Sequence, residues 1–143
     1  MQANTYLFFN GNCKEAFETY ARVLGARIDA MLTHAGTPAE SHTPPEWRDK
    51  ILHAKMSIGN TTLMASDAPP GHQAEKFQGF SVNVSVSDLA DAERIFHALS
   101  EGGKVNMPFA ETFWARGFGM LVDRFGIPWM VNCEKTGAVG KTA

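Results

Sequence analysis

The chain has 143 residues, 44% of them hydrophobic and 20% charged, which is enough apolar material for a packed core and excludes a globally disordered chain. A formal net charge of −2 gives no electrostatic case for nucleic acid, which requires a clustered basic surface. No apolar run approaches the ~20 residues of a membrane helix, and the opening MQANTYLFFNGN has neither the basic nor the apolar region of a secretion signal, so the expectation is a cytoplasmic protein with no membrane partner.

Residues 4–9 (NTYLFF) have the aromatic and branched composition of a strand. Asn12, with Glu15 three residues on, has the spacing of a helix-capping box. Cys13, Ala16, Phe17, Tyr20, Val23 and Leu24 then recur at helical spacing, and Gly25 supplies the stop. Residues 27–33 read as a strand. Residues 34–50 (HAGTPAESHTPPEWRDK) are a polar loop carrying three prolines. Loops this long within compact domains tend to be functional lids or disordered segments, and Trp47 is its candidate ligand contact. Residues 51–58 and 61–66 form a strand pair turned at Gly59-Asn60.

Residues 67–79, with two prolines, two glycines and mixed charge, read as a linker. A strand follows at 80–86. Ser87 or Asp88 then caps a helix whose stripe is Leu89, Ala92, Ile95, Phe96 and Leu99, ended by Gly102-Gly103. Residues 104–107, 118–123 and 128–133 read as strands, and 135–143 as a flexible tail. The two cysteines, Cys13 and Cys133, are read as free thiols of a reducing compartment.

The second half repeats the first. At an offset of 76, Thr5 falls on Ser81, Asn12 on Asp88, Ala16 on Ala92 and Tyr20 on Phe96. At an offset of 66, NTTLMAS falls on GIPWMVN, pairing Met64 with Met130. Each half is strand, helix and three strands. The reading is therefore an α+β chain of two βαβββ repeats, residues 1–66 and 80–134, within one structural domain.

Three stretches carry a family resemblance: FFNGNCKEAFETYARVLGA, LHAKMSIGNTTLMASDAPP and, most specifically, ETFWARGFGMLVDRFGIPWMVN at residues 111–132. Together they resemble the PhnB-like family of the vicinal-oxygen-chelate (glyoxalase/bleomycin resistance/dioxygenase) superfamily. The resemblance implies curved mixed sheets around a central cavity, and a homodimer. It also implies a metal site with one ligand on the first and one on the last strand of each repeat. Carried over by alignment, those positions fall on Thr5, Met64, Ser81 and Met130, which are poor ligands for a divalent ion. The expectation is accordingly no metal and no cofactor. Some members carry a ubiquinone methyltransferase label, but the chain has no glycine-rich strand-to-helix loop suited to a nucleotide-like methyl donor.

Strand alternation places Thr5, Leu7, Phe9, Ser81, Asn83, Ser85, Thr62, Met64, Ser66, Met130 and Asn132 inward, with Tyr6, Phe8, Val82, Val84, Leu63, Ala65, Trp129 and Val131 under the helices. Mixed polar and apolar walls suit a small organic ligand. The plainer account is a polar sheet face turned to solvent. Phe9, Met64, Ser81, Asn83 and Met130, with Trp47, Phe113 and Trp114, are the candidate ligand contacts. A competing reading is an enzyme using displaced groups. His53 stands on the polar side of its strand, and histidine is the side chain suited to proton transfer near neutral pH. Glu111, beside aromatics, could serve as a base, or could pair with Arg116 to order its loop. Cys13 stands at a helix start, where the dipole can activate a thiol; with no neighbouring histidine, nucleophilic catalysis is not expected.

Overall fold

A computed structural model describes residues 1–73 and 76–135. The chain divides into two compact units, Met1–Glu75 and Lys76–Ala143. The first contains β1 (Thr5–Phe9), α1 (Cys13–Leu24), β2 (Arg27–Thr33), β3 (Ile51–Ile58) and β4 (Thr61–Asp67), in the sheet order β1-β4-β3-β2. The second contains β5 (Val82–Ser85), α2 (Leu89–Ser100), β6 (Lys104–Ala110), β7 (Ala115–Val122) and β8 (Pro128–Glu134), in the order β5-β8-β7-β6. In each sheet the first and last strands pair parallel and the others antiparallel. The expected tail lies, Lys135 apart, outside the described residues, as do residues 74–75 of the expected linker. No described helix is long and apolar enough to cross a membrane.

Each helix covers one face of its own sheet. Ala16, Phe17, Tyr20 and Val23 of α1 are buried with Leu63 and Ala65 of β4 and Ala54 and Met56 of β3. In the second unit Ala92, Ile95, Phe96 and Leu99 of α2 are buried with Trp129 and Val131. A β-carbon on Gly119 of β7 would lie 2.4 Å from the Phe96 ring, so that strand meets its helix only because the side chain is missing.

The helix starts differ. Asp88 caps α2, accepting from the Asp91 N–H at 2.9 Å. The capping box expected at Asn12 does not form, since its side chain makes no cap hydrogen bond. Asp67, at the far end of β4, takes over. Its Oδ1 accepts from the Gly11 and Cys13 N–H groups at 2.9 and 3.0 Å, and its Oδ2 from Ile51 N–H at 2.9 Å. Asp123 is the comparable turn residue of the second unit, accepting from Phe125 and Ile127 N–H at 2.9 Å and from Trp129 Nε1–H at 2.8 Å.

The register corrects one expected parity. Tyr6 stands opposite Met64, and Asn83 opposite Met130. Tyr6 thus corresponds to Asn83, one residue out of step with the offset that relates the helices. The β1–α1 connection carries an additional residue, in a stretch where Gly11 takes a φ of 111°. Leu7 and Phe9 therefore face α1, each 1% exposed, with the Phe9 ring edge-on to Phe17 at 6.4 Å. Tyr6 and Phe8 take the open face, and Phe8 is 53% exposed. Thr5 shares the parity of Leu7 and Phe9, so its expected inward placement fails with theirs. In β4, β5 and β8 the expected parity agrees with the burial: Leu63, Ala65, Val84, Trp129 and Val131 are buried beneath the helices.

Candidate functional site

The face of each sheet opposite its helix collects the polar residues. In the first unit one cross-strand row runs Tyr6, Met64, Lys55, Ala30. Beside it Phe8 pairs with Ser66, and His53 with Leu32. The Tyr6 hydroxyl lies 3.2 Å from His53 Nδ1. Their rings are stacked at 5.8 Å with an interplanar angle of 28°, and Phe8 lies 4.9 Å from Tyr6. His53 is thus tied to a phenol. Alternation alone does not single out Tyr6, because residues 6–9 (YLFF) are bulky and largely apolar on both parities; its hydroxyl inside that run is the available signal. At the other end of the face, Asp29 accepts from the Ser57 hydroxyl and from Arg27 Nε–H at 2.6 Å. Those two hydrogen bonds, Ser57's first, hold its carboxyl below the ordinary aspartate range.

In the second unit the corresponding rows are Asn83, Met130, Met120, Met107 and Ser85, Asn132, Phe118, Ala110. Asn83 Nδ2 donates to Ser85 Oγ at 3.3 Å. Phe118 is buried, with the Trp114 ring at 5.4 Å, and Phe113 stacks edge-on to Trp114 at 4.8 Å. Phe113 itself is 89% exposed. Asn132 Oδ1 is enclosed and has no hydrogen-bond partner among the described residues. Ser81 lies half-buried just ahead of β5.

Of the remaining candidates, Glu111 is not enclosed. Its side chain is 71% exposed and pairs with Lys135 Nζ at 3.4 Å. Arg116 does not reach it; the guanidinium instead donates to the Ser87 and Glu134 carbonyls at 2.6 and 3.3 Å and to Cys133 Sγ at 3.2 Å. His53 belongs to the first unit and Glu111 to the second. Cys13 is buried rather than activated, because burial, with the Asp67 charge second, pushes its thiol well above the ordinary range.

Residues 34–50 are neither featureless nor loose. They contain two 3₁₀ turns, Pro38–His42 and Pro45–Trp47, and are pinned at their base by His34 N–H to Lys50 O at 3.2 Å and Ala35 N–H to Arg48 O at 2.8 Å. His34 is buried, its Nδ1 lying 3.1 Å from the same Lys50 carbonyl. Trp47 reaches back to the β1–α1 connection: a β-carbon on Gly11 would lie 3.1 Å from its ring. The Lys50 ammonium is 5.9 Å from the ring centroid, and Trp47 Nε1 is enclosed with no partner among the described residues.

The donors do not fit a divalent metal. The open-face positions of the first and last strands carry a phenol, a carboxamide and two thioethers, in Tyr6, Asn83, Met64 and Met130. Zinc and iron favour imidazole, carboxylate and thiolate. Among the described residues no three His, Cys, Asp or Glu side chains are grouped to hold an ion.

A family model described as 3-demethylubiquinone-9 3-methyltransferase matches residues 1–132. Protein YjdN of Escherichia coli (strain K12) is 35% identical over 143 residues, covering 94% of this chain and 97% of YjdN. The crystal structure of PA1353 from Pseudomonas aeruginosa is 49% identical, covers 94% of this chain and 98% of its own, and superposes with a TM-score of 0.86. A Bacillus cereus structure titled putative 3-demethylubiquinone-9 3-methyltransferase, PhnB protein, shares the fold at 20% identity and a TM-score of 0.79, covering 93% of this chain and 99% of its own.

Proposed function

The chain belongs to the PhnB-like family of the vicinal-oxygen-chelate superfamily, and on that premise we propose that it binds a small organic molecule on the open sheet faces without a metal. The observation that carries this reading is Asn132. On the face opposite α2 its carboxamide oxygen is enclosed and, among the described residues, lacks a partner, beside Phe118 and Met130. A buried acceptor left unpaired costs roughly 1–3 kcal/mol, which a donor on a bound molecule would recover. Aromatic and thioether side chains supply adaptable apolar area around it.

Methyl transfer, the activity in the family model's name, is not part of the proposal. The chain has no glycine-rich strand-to-helix loop suited to a nucleotide-like methyl donor.

The reading includes a cytoplasmic location and a homodimer. The free, buried thiols of Cys13 and Cys133 suit a reducing compartment. Edge strand β6 leaves Val105 and Met107 exposed, and a second chain would cover them. Sedimentation should then report about twice 15.6 kDa, and a persistent monomer would refute the dimer. Metal analysis of protein purified without chelators tests the main proposal. The expected content is far below stoichiometric; one zinc, nickel, manganese or iron per chain would overturn it.

A further inference from the structure

We propose that Tyr6 and His53 form a recognition site for the oxyanion of a small organic acid, with Lys55 as the supporting charge. This deepens the binding reading above and rests on it.

The argument is one of proton inventory. A neutral imidazole offers one acceptor nitrogen and one donor. With Nδ1 as the acceptor, the Tyr6 hydroxyl donates to it across 3.2 Å, and that donor is committed within the pair. Protonation of His53 by one solvent proton reverses the bond. The imidazolium has two N–H donors and no acceptor, so Nδ1–H donates to the phenol oxygen and Tyr6 O–H is released. The pair then presents a free hydroxyl donor beside a positive charge, a combination suited to a carboxylate, phenolate or enolate oxygen. The one covalent change is the new Nδ1–H bond made with the solvent proton; everything else is rearrangement of hydrogen bonds.

The surroundings favour the same ligand. Lys55 stands two residues along the strand on the same parity, in the cross-strand row of Tyr6 and Met64. Stacking of Tyr6 on His53 at 5.8 Å, with Phe8 at 4.9 Å, holds both polar tips in place before anything binds, which lowers the ordering cost. Phe8, Met64 and Leu32 offer apolar area for the body of an organic acid. The titratable neighbours of His53 on this face are Tyr6 from β1 and Lys55 from β3 itself. β4 contributes Met64 and Ser66, and β2 Leu32 and Ala30, none of which titrates. Arg27 and Asp29 of β2 are satisfied by each other and by Ser57 at the far end. His34, beyond β2, is bound to the Lys50 carbonyl.

The test is an NMR titration of isotope-labelled wild type, Tyr6→Phe and His53→Gln with benzoate, and with benzamide as its uncharged counterpart. Benzoate should shift residues of β1, β3 and β4. Its affinity should fall about tenfold or more between about pH 5.5 and pH 8, as the imidazolium is lost. Benzamide affinity should be flat across that interval. Tyr6→Phe should weaken benzoate about tenfold at the lower pH, the loss of one charge-assisted hydrogen bond, and His53→Gln should flatten the profile. A purely structural hydrogen bond would lower the stability of the variants and leave the preference for benzoate untouched. Equal, pH-independent binding of both probes would overturn the oxyanion site while leaving small-molecule binding standing. No shift on this face from either probe, at concentrations on the order of 10 mM, would remove the site and count against the binding reading as well.

Discussion

Replacing Asp67 should destabilise the protein far more than a loop-end aspartate ordinarily would. Its carboxylate is 3% exposed and accepts three backbone N–H groups, from Gly11, Cys13 and Ile51, all at 2.9–3.0 Å. Asp67→Ala leaves those donors without a partner, the Cys13 and Ile51 groups in buried positions. Each unsatisfied buried donor costs roughly 1–3 kcal/mol. With partial relaxation and some water entry at the less buried Gly11, the total is about 3–6 kcal/mol. That is a large share of the ~5–15 kcal/mol available to a folded domain. Asp67→Asn keeps one acceptor oxygen and should cost about half as much. Asn12→Ala is the control: its side chain caps nothing, so the change should fall within about 0.5 kcal/mol. Urea unfolding followed by circular dichroism measures all three. If Asn12→Ala costs as much as Asp67→Ala, or Asp67→Ala costs under about 1 kcal/mol, the start of α1 is held locally and the cross-sheet tether is refuted.

Two adjacent phenylalanines test the strand parity. Phe9→Ala removes a ring that is 1% exposed against Phe17 and should cost about 3–5 kcal/mol, whereas Phe8→Ala, at 53% exposure, should cost under about 1 kcal/mol; equal costs in thermal unfolding would restore the opposite parity. The carboxyl of Asp29 is held below its ordinary value chiefly by Ser57, so its contribution to stability is present above the unfolded aspartate value of about 3.9 and is lost as pH falls through the lower folded value. Ser57→Ala should move the Asp29 titration upward in carbon-detected NMR, and an unchanged midpoint would remove Ser57 as the cause.

Periodicity and punctuation in the chain by themselves determined the element order, both helices with their buried stripes (apart from Leu89, which is exposed, and Leu24, which is half-buried), the β3–β4 turn and the duplication. These are local signals, with a period of 3.6 for helices, capping residues, and glycines where the chain must turn. The family followed from long, composition-specific strings. Parity was legible in β4, β5 and β8, where apolar and polar residues alternate. It was not legible in β1, because TYLFF is apolar on both sides and alternation therefore carries no information there; pairing with β4 decided it. Pairing also brought Tyr6 and His53 together, 47 residues apart, and Asp67 to Gly11, 56 residues apart. The sequence named His53 without its partner, and it assigned to Asn12 a cap that Asp67 supplies. Glu111 looked enclosed beside aromatics in the chain, yet the β6–β7 turn sets it in solvent against Lys135. Contacts of this kind depend on which strand lies beside which and in what register. That is a balance of packing over the whole sheet, and no local window of residues contains it.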